Sequence, residues 1–320
     1  MMAFLDPISY YLADKIYYLV CTAMFITMVG LVVIKPSRRL LGRIWRHWNG
    51  RVGLCFIAAH ILISVFGPWL IPHDPYTQFD LGEIARYYPP GLEFPLGTDD
   101  RNRDFLARVV SGGRAAIAVT CLTAILAISW GAFAGIFLTL MPRWVDGVVM
   151  RIVDALISVP WLAFLLLAMT LFAGARGFSF VPIVGFFYSL AVLRVVRAHA
   201  TTIVALDYVT AARARGHRIS WIAFHEVLPN CRDVILVELA MRWTWLLLAF
   251  AVASFFGLMV EIPAPDWSLM IASSRTLFLS YPYLFWPPVI MLSTLVIGIN
   301  FTADGLAKAI GLDRRAADMV

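Results

Sequence analysis

The sequence predicts an all-α polytopic membrane protein, and two observations carry that prediction: the composition and the length of the apolar runs. Hydrophobic residues make up 61% of the 320 residues and charged residues only 14%, whereas roughly a quarter of the residues in soluble domains are charged. A chain with so few polar side chains cannot cover its apolar atoms in water. The runs are continuous rather than alternating, which favours spanning helices over the strands of a membrane barrel.

Individual spans follow from the fact that about 20 helical residues are needed to cross a bilayer. Seven runs meet this requirement, the fifth being short and expected to continue past Arg194. They are Ile16–Ile34, Val52–Ile71, Ala115–Met141, Ala155–Ala175, Gly177–Leu193, Val234–Val260 and Tyr283–Ala303. The basic and aromatic segment Arg38–Trp48 predicts an amphipathic helix on the membrane surface, the alternative being a plain basic linker.

The distribution of positive charge predicts the orientation. With residues 35–51 in the cytoplasm, inside segments hold 17 Lys and Arg and outside segments hold 8, so the N-terminus is expected outside and the C-terminus inside. Residues 1–50 then form an N-terminal span with a basic elbow, and residues 51–320 form the main domain. Two long polar segments lie within that domain, 72–114 outside and 200–232 inside, and segments of this length usually have a function.

The inside segment contains a pattern typical of two helices joined by a turn. Ala211 and its neighbours up to Arg215 are strong helix formers, and Gly216 is suited to the left-handed conformation that ends a helix. Apolar periodicity then resumes and is expected to break at Pro229. Small side chains would let the first helix approach a partner closely, and basic side chains would face acidic groups there. The alternative is a basic loop that only sets the topology.

These residues carry a resemblance to a known family. The order AA, G and LP resembles the EAA loop of permease subunits of ATP-binding-cassette importers. Thr210 stands where that motif usually has Glu, and Glu226 stands where an apolar residue usually precedes LP. The matching positions are Ala211, Ala212, Gly216, Leu228 and Pro229.

Three further stretches narrow the resemblance to dipeptide and oligopeptide permeases, and together they cover roughly Val52 to Arg315. Leu96–Arg108 is similar to a GTDDLGRD signature in which Arg101-Asn102 replaces Leu-Gly. Arg151–Ala163 resembles the entry to that family's third span. Gly257–Met270 resembles GxxxPxPxWGxM, with Ser268 replacing Gly, and Asp304-Gly305-Leu306 matches a terminal DGL.

The resemblance implies a six-helix type I importer permease core in the bacterial inner membrane, so the first span is an addition to it. It also implies four partners: a homologous second permease, two ATPase subunits and an extracytoplasmic substrate-binding protein. ATP and Mg would be bound by the ATPases and no cofactor by this chain. The residues implied in ATPase coupling are Asp207, Ala211, Ala212, Arg213, Gly216, Leu228 and Pro229. Gly216→Pro or a bulky residue at position 212 is then expected to uncouple ATP hydrolysis from transport.

Other polar residues are candidates for the pathway or for structure. Asp154 is expected to cap the start of a span, with substrate contact as the alternative. Glu238 and Arg242 are four apart, share a helix face and are expected to pair, with a pathway role as the alternative. Three outside carboxylates either contact the binding protein or cap a short helix: Asp99, Asp100 and Asp104.

Several function classes are excluded or kept open. The chain has no GxxxxGK[ST] phosphate loop and no HExxH or GxSxG motif, so a non-catalytic subunit is expected. The competing class is an ATP-independent secondary transporter or channel. Within the importer class, the substrate could be a dipeptide, a longer peptide, an antimicrobial peptide, a nickel chelate or another small solute.

Overall fold

The computed structural model describes residues 7–33, 35–80, 86–172, 177–260 and 263–310. They contain helices, turns and one isolated antiparallel bridge, between Thr98 and Asp104. The all-α prediction is confirmed for this part of the chain. The elements are α1 (Pro7–Val33), α2 (Lys35–Arg46), α3 (Trp48–Leu70), α4 (Phe105–Ser111), α5 (Gly113–Leu140), α6 (Arg143–Ile157), α7 (Trp161–Leu171), α8 (Gly177–Val204), α9 (Asp207–Ala214), α10 (Ile219–Ile222), a π turn (Ala223–Val227), α11 (Leu228–Phe255), α12 (Trp267–Ser274) and α13 (Pro282–Ile310).

The chain divides into two compact units. The first comprises Met1–Thr120 and Leu247–Val320, and the second comprises Cys121–Leu246. Both boundaries fall inside long helices, α5 and α11. The predicted division at residue 50 is a different one and stays a prediction.

Small residues allow α3 and α13 to pack closely in the first unit. A methyl group on Gly298 would lie 2.7 Å from Cβ of Phe56, and one on Gly53 would meet the backbone of Thr302. Such close approach is how spanning helices gain van der Waals contact in a lipid environment, where apolar burial drives association little.

The additional helix α1 is attached to the same unit through Arg114. The guanidinium of Arg114 donates to a carboxylate oxygen of Asp14 at 2.9 Å and to the carbonyl oxygen of Ser64 at 3.1 Å. It also lies 5.2 Å from the ring centroid of Tyr18. The side chain of Arg114 is only 6% exposed, so Asp14 neutralises a buried charge.

The basic segment predicted as an amphipathic helix is helical. It forms α2, which packs against α1, α3 and α13. Ile44 is buried on the packed side while Trp45 is half exposed. The position of α2 relative to a bilayer stays a prediction.

Among the described residues, five helices are long and apolar enough to cross a membrane, or six if one bent pair forms a single span. The fourth predicted span, Ala155–Ala175, is not straight: α6 and α7 meet there at 82°. Pro160 explains the bend, because it has no N–H to donate and disfavours helical backbone at Val159. The first predicted span lies in α1, which is not among these helices, so this span stays a prediction. Ile34 and residues 173–176 fall outside the described residues.

The second unit is organised around α8. One apolar cluster joins α5, α8, α9 and α11, and another joins α5, α6 and α8. As expected, α8 continues past Arg194 as far as Val204. Arg197 on α8 forms a two-pronged ion pair with Asp146 on α6, which fixes the register of these helices.

Candidate functional site

The short helix α9 is seated firmly on the second unit. Val209 and Ala212 are both fully buried and belong to the apolar cluster that includes residues of α5, α8 and α11. Tyr208 adds a polar link, because its hydroxyl oxygen accepts a hydrogen bond of 3.1 Å from the side-chain amide of Asn230. Burial and the negative charge of Glu226 raise the pKa of Tyr208, so the phenol stays neutral.

Gly216 ends this helix in the predicted conformation. Its φ is +79°, which side chains with a Cβ rarely adopt. The N–H of Gly216 donates to the carbonyl of Arg213 at 2.9 Å, and the N–H of His217 donates to the carbonyl of Ala212 at 3.3 Å. This pair of hydrogen bonds is the Schellman motif. It makes α9 a rigid projection with a defined end.

The expected break at Pro229 is wrong. The backbone passes from α10 through the π turn into α11 without leaving helical geometry, and Pro229 lies in the first turn of α11. The N–H of Leu228 donates to the carbonyl of Ala223, five residues earlier. The wider turn gives room for the proline ring, which would clash with the carbonyl four residues back in an ideal α-helix.

Burial divides the predicted coupling residues into two groups. Asp207, Ala211 and Arg213 are exposed on α9, and Gly216 is exposed after it. Ala212 faces the opposite way, into the apolar cluster, so it is not free for a partner to contact. A bulky residue at position 212 would also disrupt the packing of α9, so the expected uncoupling stays a prediction and position 212 cannot report on coupling alone. Leu228 packs partly against the same cluster, and Pro229 is exposed.

Sequence reasoning missed a stack of aromatic rings directly after Gly216. The rings of His217 and Trp221 are 3.8 Å apart and nearly parallel, and those of Trp221 and His225 are 4.9 Å apart at 8°. The signal in the sequence was the spacing of four residues between the three rings. The stack stiffens the segment that connects α9 to α11.

The predicted helix start at Asp154 is also wrong. α6 begins at Arg143, and Asp154 lies in its last turn, where it pairs with Arg194 of α8. The cap prediction failed because the helix already begins after Pro142, so Asp146 and not Asp154 is the carboxylate in its first turn. A pathway role for Asp154 stays a prediction.

Glu238 and Arg242 pair as predicted. Nε of Arg242 donates to a carboxylate oxygen of Glu238 at 2.9 Å, and the Glu238 side chain is only 9% exposed. The pair neutralises both charges within α11. A role in the pathway stays a prediction.

The outside carboxylates have different surroundings. Asp104 caps α4 by accepting from the N–H groups of Leu106 and Ala107, which is one of the two predicted roles. Asp99 is buried and accepts from Nε of Arg103 at 2.7 Å, with Nε of Arg108 at 3.2 Å. The side chain of Asp100 is 57% exposed and open to a contact from outside. Whether any of the three touches a binding protein stays a prediction.

The departure from the GTDDLGRD signature has a conformational explanation. Asn102, which stands where the family has Gly, has a φ of +56°. Asn tolerates this left-handed conformation better than other residues with a Cβ. Asn102 is therefore compatible with a left-handed backbone conformation, which glycine also adopts readily.

Asp266, in the PxPxW stretch, is a fully buried carboxyl group that sequence reasoning also missed. Its Oδ1 accepts from Oγ of Ser254 at 2.5 Å and from the N–H of Leu269 at 3.0 Å. Its Oδ2 has no hydrogen-bond partner among the described residues. Burial raises the pKa of Asp266 despite these donors, which favours the protonated acid.

Comparison with known proteins supplies the family. A family model described as binding-protein-dependent transport system inner membrane component matches residues 127–315. The chain belongs to this family. A second model, described as the N-terminal transmembrane domain of oligopeptide transport permease C, matches residues 35–90. The resemblance to dipeptide and oligopeptide permeases is therefore confirmed, and the chain is a multi-pass inner membrane component of a transport system.

Individual relatives are similar over most of their length. The di/tripeptide transport system permease protein of Pseudomonas aeruginosa is 29% identical over 81% of this chain and 86% of its own length. A putative peptide transport system permease protein of Brucella abortus is 30% identical over 86% and 90%. The glutathione transport system permease protein of Pectobacterium atrosepticum is 27% identical over the same shares.

Proposed function

We infer that this chain is one of two transmembrane subunits of an ATP-driven importer for peptides. The observation that carries the inference is α9: a short helix, buried on one side in its own unit, exposed on the other and ended by Gly216. A rigid projection of this kind transmits a displacement without bending. The names of the relatives support di- and oligopeptides, or the tripeptide-like glutathione, as the substrate class.

The partners in this proposal are a homologous second permease, two ATPase subunits and an extracytoplasmic binding protein. ATP and Mg are bound by the ATPases. The exposed face of α9 docks on an ATPase subunit, and Arg213 meets acidic groups there. Closure of the ATPase dimer then displaces α9, and α11 moves with it because residues of both helices belong to one apolar cluster.

The test is purification of the tagged chain in mild detergent, followed by mass spectrometry and reconstitution into liposomes. We expect co-purification of a second permease and ATPases that carry a phosphate loop, together with vanadate-sensitive ATP hydrolysis. A purified binding protein encoded with the system should stimulate that hydrolysis, and labelled dipeptide should accumulate only with ATP.

Two outcomes contradict the proposal. A chain that purifies alone and moves solute down a gradient without ATP would be a secondary transporter or channel. An intact ATP-driven complex that accumulates labelled nickel chelate or antimicrobial peptide, but no dipeptide or oligopeptide, would keep the importer and overturn the substrate class.

A further inference from the structure

A cavity of about 310 Å³ lies in the first unit, where α1 meets the chain that follows α3. Its charged lining residues are Asp14 of α1, Asp74 after α3 and Arg114 near the start of α5. His73 also lines the cavity, and its Nδ1 lies 2.8 Å from a carboxylate oxygen of Asp104. Pockets for small molecules begin at roughly 300 Å³, so this cavity suits a ligand with few heavy atoms.

Negative charge exceeds positive charge in this lining. Arg114 pairs with Asp14 at 2.9 Å, so the charge of Asp74 is not balanced by another lining residue. A positive charge on His73 would be balanced by Asp104, which is not part of the lining. Burial, as the main cause, and the charge of Asp74 raise the pKa of Asp14, although Arg114 lowers it. A cation bound in the cavity would offset this excess of negative charge.

The cavity also offers hydrogen-bond acceptors that its own residues leave available. Arg114 donates to Oδ2 of Asp14, which leaves Oδ1. The N–H of Tyr76 donates to Oδ1 of Asp74 at 2.7 Å, which holds this side chain in place and leaves Oδ2. Ser111 is only 4% exposed, and its hydroxyl has no hydrogen-bond partner among the residues that the structure describes. A primary ammonium group, with three N–H donors and no acceptor, matches two carboxylates and a hydroxyl.

We propose that this cavity, named here the amine cavity, binds a primary ammonium group carried on a short apolar chain. The ammonium group is held by Asp14, Asp74 and Ser111, and the apolar chain lies against Ile71 and Val110, which also line the cavity. An inorganic cation would gain nothing from that apolar wall. Because Asp14 belongs to α1, the site is incomplete without this additional helix.

Two sources share this ligand chemistry: a free amine and the amino terminus of a peptide. The inference does not depend on the proposed function, because binding to the amine cavity requires neither an ATPase nor transport.

The test measures binding of propylammonium to the full chain, with any subunits that accompany it, in nanodiscs of zwitterionic lipid. Saturation-transfer NMR detects the bound ligand, and empty nanodiscs give the blank. We expect saturable binding to the wild type. Binding should be at least tenfold weaker to Asp74→Asn and several-fold weaker to Ser111→Ala, because these variants remove a charge or an acceptor from the cavity. Asp100→Asn removes an exposed carboxylate outside the cavity and should bind as the wild type does.

Competing ligands show which property of propylammonium is recognised. Propanol lacks the charge and tetramethylammonium lacks N–H groups, so neither should displace the probe. Equal displacement by tetramethylammonium or sodium overturns the proposal, because the cavity would then select charge alone. The absence of saturable binding above the blank also overturns it, as does an equal loss of binding in Asp74→Asn and Asp100→Asn.

Alanine amide, which carries its ammonium group on a peptide-like unit, distinguishes the two sources. Displacement at least as strong as that by unlabelled propylammonium identifies the amino terminus of a peptide as the occupant. Weaker displacement identifies a free amine.

Discussion

At residue 266 the chain buries an entire carboxyl group and supplies donors to only one of its oxygens. Ser254 and the N–H of Leu269 serve Oδ1, while Oδ2 has no partner among the described residues. An ionised carboxylate at position 266 would lose its hydration without enough hydrogen-bond donors to replace it. This is why burial raises the pKa of Asp266. The residue is best suited to the neutral acid, which caps α12 through Oδ1 without adding a charge.

This leads to a pH-dependent prediction for Asp266→Asn. Because the native pKa is raised above the unfolded value, Asp266 favours the fold fully below about pH 3.9, and this contribution is lost as pH rises through the native pKa. Asn keeps the acceptor and cannot ionise. The variant should therefore gain stability relative to the wild type as pH rises, by roughly 2–4 °C in Tm for each kcal/mol. Thermal unfolding of detergent-purified protein between pH 5 and pH 8.5 measures the difference.

Asp100→Asn is the matched control, because it removes an exposed carboxyl group from the same unit. The pH profile of Asp266→Asn is compared with the profile of this variant. A constant difference for Asp266→Asn over the same range would mean that Asp266 does not titrate as its burial requires.

The identity and spacing of the residues predicted the conformation or the pairing of some functional-site residues, but not the burial of others. The left-handed conformation at Gly216 follows from the chemistry of glycine, and the Glu238–Arg242 pair follows from helical spacing. The burial of Asp99 does not follow from its neighbours in sequence. It depends on Arg108, nine residues away, which also donates to the carbonyl of Pro263 at 2.8 Å.

At the scale of elements, α9 shows how two adjacent alanines come to differ. A helix turns by about 100° per residue, so Ala211 and Ala212 face different directions. Packing against the apolar cluster decides that Ala212 is the buried one. The dipeptide Ala211-Ala212 does not by itself predict which alanine is buried, because the two side chains are identical.

We therefore expect Ala211→Trp and Ala212→Trp to fail for different reasons. Ala211→Trp should leave folding intact while lowering ATP-driven uptake at least tenfold, because the indole prevents close docking of α9. Ala212→Trp should lower the yield of folded protein, because overpacking a filled core is destabilising. Uptake in liposomes, ATP hydrolysis and size-exclusion profiles separate the two.

Ala23→Trp, at an exposed position of α1, is the control for adding an indole to a surface. It should transport normally. Wild-type uptake by well-folded Ala211→Trp would contradict the assignment of α9 as the docking helix.

At the scale of the whole molecule, the orientation of the chain in the membrane is predicted from the distribution of Lys and Arg between the inside and outside segments. Cysteine labelling tests it in a background without the four native cysteines. Gln78→Cys should react with a membrane-impermeant maleimide in intact spheroplasts, because residue 78 belongs to an outside segment. Ser220→Cys should react only after permeabilisation. Both positions are exposed, so a difference in labelling reports the side of the membrane, and the reverse pattern would invert the topology.

Composition and the length of the apolar runs were sufficient for the class of protein and for most of the spans, whereas the resemblance to the family depended on individual motif residues such as Ala211, Ala212 and Gly216. These properties are local, because a bilayer of given thickness requires a run of given length and a glycine at a helix end serves the same purpose in any fold. The bend between α6 and α7, the continuation of the helix through Pro229 and the burial of Ala212 needed the three-dimensional structure. The burial of Ala212 depends on residues of α5 and α8, which are distant in sequence and cover α9. The other two features lie at prolines, and the sequence alone does not show that the helix bends at Pro160 but continues through Pro229. A local sequence pattern shows which apolar side chains a helix can bury. Tertiary packing determines which side of the helix is buried in the folded protein.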